Sequence, residues 1–360
     1  MRRIVGPVLV VLGALLLGLG LLAKPYLYNK LATVPLDQDS TSVSEGKSMA
    51  VLYPHVKNGA AAIDKLSNVE VKSTRTVLGI PGRVAEAGVQ DTTAFWQTQV
   101  KSQAKVNGAW KDLSYSDEGV SFDRVTGTVT NCCDDYKSTG DLDNPKATKA
   151  MKRAGNYFKF PFDVQKQSYD WWDGDLEKAQ PIEFKEEADL FGTNTYVFSQ
   201  VIPKTEIGSR DVPASLFKAD GTGNVNAKVM YGNTRTLWIE PNTGVIIKGE
   251  EKVDKTLVSS LGTVPMTVGT IGFNDATVEE NAKTWGSKGS LLGLIKGPLM
   301  WYLLIPGLLL LAGGALLMMR GRSDGSDSEA RLAPAGASDD PTLLDGFGDD
   351  TTRRRRDLNT

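Results

Sequence analysis

The chain has 360 residues, with 41 basic and 43 acidic side chains, one histidine and two cysteines. Its near balance of charge offers no basic stripe for nucleic acid. The lone His55 excludes triads and metal sites that need several imidazoles, and reads as a surface or packing residue after Pro54.

At the N-terminus Arg2 and Arg3 precede an uncharged run over residues 4–23, which at about 1.5 Å per residue spans roughly 30 Å of hydrocarbon. A second uncharged run covers residues 298–319 and is closed by Arg320 and Arg322. Arginines outside both runs predict, by the positive-inside rule, that residues 1–3 and 320–360 are cytoplasmic and residues 24–297 extracytoplasmic. Tyr26 and Tyr28 after the first run, with Trp301 and Tyr302 at the start of the second, then sit at one outer interface as an aromatic belt. A cleaved signal peptide is the alternative for the first run, against a poor small-x-small site at Leu21-Leu22-Ala23. The expected setting is a two-pass protein of the plasma (inner) membrane.

Two of the basic residues precede the first run and seven lie from Arg320 onward, leaving 32 between the runs; nine acids lie in the tail, leaving 34. Residues 24–297 are therefore almost neutral and long enough for a sizeable core. Residues 69–76, 95–101, 110–115, 157–162, 195–202 and 234–240 are rich in β-branched and aromatic side chains and bounded by Gly, Pro, Asn and Asp. They predict antiparallel strands, in a barrel-like or sandwich-like β domain. Residues 60–66 and 144–154 predict two short helices, the second from an Asn cap followed by Pro.

Two hairpins share one pattern, FDRVTGTVT at 122–130 and IEPNTGVII at 239–247. In each an acid is followed by Thr-Gly and a β-branched strand, with Gly127 and Gly244 supplying a positive φ. The pattern marks two related halves, or simply the recurrence of Thr-Gly turns in a large β domain.

Both cysteines lie in TVTNCCDDYKSTG, residues 128–140, as Cys132 and Cys133. Outside the cytoplasm thiols rarely stay reduced, so the pair bonds itself, bridges another chain or stays free; the vicinal disulfide is the favoured outcome. Consecutive Cα atoms stand about 3.8 Å apart, so such a bond distorts the peptide between them. The acids Asp134, Asp135, Asp141 and Asp143, and Asp170, Asp173, Asp175 and Glu177 around Trp171-Trp172, lack EF-hand spacing and read as solvated turns. Trp171 and Trp172 read as rings that stack on sugars, or as one ring in the core and one at a surface; strand neighbours face opposite sides, which disfavours a single sugar platform from both.

Ser-x-x-Lys occurs at Ser44, Ser102 and Ser215 without the motifs that accompany it in acyl-transfer enzymes. No hydrolase elbow, phosphate loop or dinucleotide fingerprint is present. No enzymatic role, cofactor or metal is expected. Beyond Arg320 the polar, Gly/Ser/Asp-rich segment reads as a disordered cytoplasmic tail. It ends in Arg353, Arg354, Arg355 and Arg356, a run suited to an anionic leaflet or to docking, or only a solvated charge cluster.

GVSFDRVTGTVTNCC, YFKFPFDVQKQSYDWWD and LWIEPNTGVIIKGEE, in that order between two apolar runs, resemble the actinobacterial porin PorA family over nearly the whole chain. The resemblance implies an actinobacterial cell-envelope setting and, by the family's name, a channel. Topologically the chain is also similar to the scavenger-receptor CD36 type, with two terminal spans and a large β domain. Three functions follow. The favoured one is a binding or transfer module for envelope lipids or glycolipids. The others are a scaffold for envelope protein partners and a porin-type channel component. A continuous apolar cavity marks the first; a wet, charged lumen marks the third.

Overall fold

The computed structural model describes residues 2–57, 59–138, 147–218 and 220–320. Helix α1 (Arg2–Leu22) runs into a π-helical turn (Ala23–Tyr28) and the short α2 (Asn29–Leu31). Strands β1 (Asp39–Lys57) and β2 (Ala60–Gly79) follow, then α3 (Pro81–Glu86), β3 (Thr93–Val106), β4 (Ala109–Asp123), β5 (Tyr136–Ser138) and β6 (Thr148–Ala150). The second set comprises β7 (Tyr169–Asp173), β8 (Lys178–Leu190), β9 (Thr193–Pro213), β10 (Asn224–Ile239), β11 (Ile246–Ser259) and β12 (Gly262–Phe273). Helices α4 (Asp275–Lys296) and α5 (Leu299–Arg320) complete the chain.

The chain divides into residues 1–13 with 309–360, and residues 14–308. In the first unit α1 and α5 approach so closely that a Cβ on Gly314 would stand 2.8 Å from the Gly6 carbonyl oxygen. The second unit holds all twelve strands, in the order β6-β5-β4-β3-β2-β1-β12-β11-β10-β9-β8-β7. Every ladder is antiparallel, and β1 pairs with β12, so the first and last strands meet mid-sheet. The sheet is not closed. Among the described residues no ladder joins β6 to β7, although Lys137 and Lys149 reach Glu177 at 3.1 and 3.2 Å, and single bridges link Thr128 to Asn156 and Asn156 to Trp171.

Three expectations are corrected. Residues 60–66 are strand, paired through β2 with β1 from Lys57↔Ala60 to Val51↔Leu66; the hairpin overrides the helical propensity of their alanines. In 144–154 the described part contains β6, which pairs with β5, and residues 151–154 carry no helix. Residues 157–162 form no strand.

One face of β10 shows how the interior is layered. Ala227 and Val229 pack with Val212, Leu216, Leu257 and Val264 in one apolar cluster. Leu237 and Ile239 pack with Phe160, Val164, Trp171, Ile182 and Phe198 in another. Between them Tyr231, Asn233 and Arg235 are also buried. At the end of the sheet where α2 leads into it, Val34 joins Ala94, Trp96 and Phe122.

Residues 156–164 run between these clusters. Phe158 and Phe162 pack on the Trp96–Phe122 cluster, and Phe160 and Val164 on the β8–β10 cluster. In the sequence these apolar side chains recur at every second position, the strand period, but successive ones go to different clusters and their backbone partners are turns. Phe162 N–H donates to the Val125 carbonyl at 3.1 Å, and Phe160 N–H to the Gly244 carbonyl at 2.9 Å.

Candidate functional site

The two Thr-Gly turns are built alike. Asp123 Oδ1 accepts from the N–H groups of Val125 and Thr126 and from the Thr126 hydroxyl. Glu240 accepts from the N–H groups of Asn242 and Thr243 and from the Thr243 hydroxyl. Gly127 N–H and Gly244 N–H each donate at 2.9 Å to the carbonyl of the acid. Their φ angles are +71° and +73°. A Cβ at Gly127 would lie 2.7 Å from the Lys159 carbonyl oxygen, and one at Gly244 would collide with that of Phe160. Both turns thus grip residues 156–164 from opposite halves of the sheet. Lys159 lies between them, 4% exposed, with no hydrogen-bond partner for its Nζ, which stands 3.7 Å from the Phe162 ring centre. Burial pushes its amine down to about 7, against the pull of Asp123 and Glu240.

A belt of buried charge lies on the inner face of β10 around Arg235. Arg235 donates from Nη2 to Asp173 Oδ2 at 3.1 Å, from Nε to Glu251 Oε1 at 2.8 Å and from Nη1 to Gln200 Oε1 at 2.6 Å. Tyr231 donates its hydroxyl to Asp173 Oδ2 at 2.9 Å, and Asn233 its amide to Glu251 Oε2 at 3.1 Å. On the far half, Arg153 reaches Glu118 Oε2 at 2.6 Å, and the Tyr157 hydroxyl donates to the same atom at 3.2 Å. Arg75, on the same face of β2 as the cluster residues Val71 and Val77, is exposed and acts electrostatically on both Tyr157 and Glu251.

Charge compensation makes this arrangement tenable, since an isolated buried ion costs far more than a paired one. Arg153 pairs with Glu118, and Arg235 with both Asp173 and Glu251, while Asp175 beside them is met by Lys255. Burial pushes the Glu251 carboxyl up, but Arg235, Asn233 and Arg75 together outweigh it and hold the group below its ordinary range. Burial raises the Tyr231 and Tyr157 hydroxyls, reinforced by Asp173 and Glu118 respectively, so both stay neutral donors.

Cys132 and Cys133 are bonded to each other, Cα to Cα 3.8 Å. Cys132 is exposed and Cys133 buried against Val84 and Phe95, with Cys132 N–H donating to Ser121 Oγ at 2.9 Å. The bond sits between Asn131 at φ 54° and Asp134 at φ 58°, in a loop docked on β4. Two acids read as solvated are buried: Asp135 receives Ser121 N–H, its carboxyl raised by burial, and Asp173 anchors the belt. Trp171 and Trp172 are both buried, so neither ring sits at a surface. His55 stacks on Tyr53 at 4.8 Å and faces Asp64. Tyr26, Trp301 and Tyr302 are exposed and Tyr28 half-buried; Asp141, Asp143 and Arg353 to Arg356 lie outside the described residues.

Two helices, 4–31 and 299–320, are long and apolar enough to cross a membrane. Ion pairs such as Lys204–Asp254 and Lys228–Glu206 lie exposed on the sheet, where a lipid-facing strand would present an apolar band. These features define a membrane protein with two apolar terminal helices and an antiparallel β domain. The chain belongs to the porin PorA family, whose model matches residues 5–316. It is similar to a Porin PorA of Corynebacterium amycolatum, 24% identical over 306 residues, covering 70% of this chain and 78% of that protein. A Porin PorA of Corynebacterium resistens is 26% identical over 160 residues, covering 31% of this chain and 39% of that protein.

Proposed function

We propose that the protein is a non-catalytic, channel-type component of the cell envelope that handles polar solutes. The charged belt carries this reading: an interior set with guanidinium, carboxylate, amide and phenol groups solvates ions and polar molecules, whereas a lipid carrier needs an apolar lining. Arg75 is exposed, and the Glu251 side chain is 36% exposed, so water reaches the belt. The relatives' name, porin, agrees with it.

Reconstituted in planar bilayers, the full chain is expected to conduct small ions. Arg75 is exposed and has no ion pair among the described residues, so the neutral Arg75→Gln should keep the fold and shift selectivity toward cations. Absence of conductance, or selectivity blind to this neutralisation, would refute the reading.

For orientation, we infer a plasma (inner) membrane protein with both termini cytoplasmic and the β domain outside, from the arginines beyond each span. A thiol introduced at Ser209 should be labelled from outside in intact cells, and one at Ser338 should not. The reverse pattern would overturn the assignment.

A further inference from the structure

The β8–β9 hairpin closes on two residues, Phe191 and Gly192, between the paired Leu190 and Thr193. Both are left-handed, at φ 52° and 78°. Such a turn favours Asn-Gly, because asparagine tolerates positive φ and a bulky aromatic does not. The same molecule supplies a control: the β3–β4 hairpin closes Val106↔Ala109 with Asn107 and Gly108 at φ 50° and 79°. The two turns are alike in these angles, yet one carries phenylalanine. The residue is 61% exposed, so core packing does not account for it.

Phe191 stands as a ridge between two clefts. One, of about 640 Å³, includes Asn194, Asn242, Glu279, Lys283, Ser287 and Ser290 in its wall. The other, of about 330 Å³, includes Glu45, Lys248, Glu250, Thr270 and Asp275. Glu279 and Lys283, one helical turn apart on α4, form no ion pair with each other. An exposed ring flanked on both sides by carboxylates, amides, hydroxyls and ammonium groups matches a ligand with apolar C–H faces and a polar rim.

We propose that Phe191 and its two clefts form a carbohydrate-binding ridge, with one sugar ring stacked on Phe191 and neighbouring units in the clefts. A protein partner would call for an apolar surround to the aromatic anchor; here carboxylate, amide and ammonium groups stand beside the apolar Leu190, Phe273 and Val278, the mixed lining that a sugar's C–H faces and hydroxyls require. The ridge is independent of the channel reading, because it lies outside the charged belt.

The test uses the full chain in detergent on an array of immobilised neutral and uronic-acid oligosaccharides. Wild type is expected to bind at least one member. Phe191→Asn, which adopts the turn's own preferred residue, should keep or raise the melting temperature and lose at least tenfold in affinity. Phe191→Trp should retain binding, with its fluorescence shifted by the bound glycan. Lys283→Ala, on an exposed helix position, should weaken binding without touching the hairpin. Wild type binding no glycan, or Phe191→Asn and Lys283→Ala both binding as wild type does, overturns the proposal.

Discussion

Arg235→Met is expected to destabilise the β domain by about 3 to 5 kcal/mol, the usual cost of removing one partner from a buried ion pair. The reason lies less in lost attraction than in what remains. Asp173 is wholly buried and would keep only the Tyr231 hydroxyl on Oδ2, while Oδ1 already serves the turn N–H groups of Asp175 and Leu176. Glu251 would keep the Asn233 amide, and Gln200 Oε1 would lose its donor. Adding Asp173→Asn and Glu251→Gln to Arg235→Met removes the stranded charges and should recover part of the loss, a non-additivity expected of one network. Chemical denaturation followed by circular dichroism measures both steps. A loss under about 1 kcal/mol for the single variant would show that water, not Arg235, neutralises the two acids.

Lys159→Met should act in the opposite direction. Burial holds the folded amine near 7, against an ordinary 10.5. Between those values the unfolded chain binds a proton that the native chain does not, so stability rises as pH climbs from about 7 to about 10 and is flat in this respect below 7. Lys159 is thus a net cost at neutral pH. Methionine fills a similar volume without an amine to desolvate, and about 2 to 4 kcal/mol of stability should be gained at pH 7. The groups facing the amine, Asp123 and Glu240, are already occupied by their own turns, so losing the lysine strands neither. Unfolding at pH 7 and pH 9.5 distinguishes the cases: wild type should gain stability with pH, and the variant should show no such gain. A variant less stable than wild type at both pH values would mean that the ammonium contributes more by attraction than it loses by burial.

The contrast explains what was legible in the sequence. The membrane helices follow from uncharged runs, and residues 69–76, 95–101, 110–115 and 195–202 fall in β2, β3, β4 and β9, with all of 234–240 but Glu240 in β10, because alternation survives wherever one face is apolar. The Thr-Gly turns follow from local chemistry. The belt does not, because around Arg235 both faces of β10 are polar, and its partners Asp173 and Gln200 lie 62 and 35 residues away. Nothing local tells an inward arginine from an outward one. Residues 157–162 show the same limit in another form, since their alternation reports an extended backbone but not that turns, and no strand, receive it.

The seam between β1 and β12 sets the order of assembly. Ser44 must wait for Phe273, roughly 230 residues later, and at ordinary synthesis rates that is roughly 10 to 45 seconds. During that interval β1, one of the longest strands, presents an unpaired edge to its surroundings. The nascent first half is therefore a template for any other extended chain nearby, and its escape from mispairing depends on how promptly the second half is delivered.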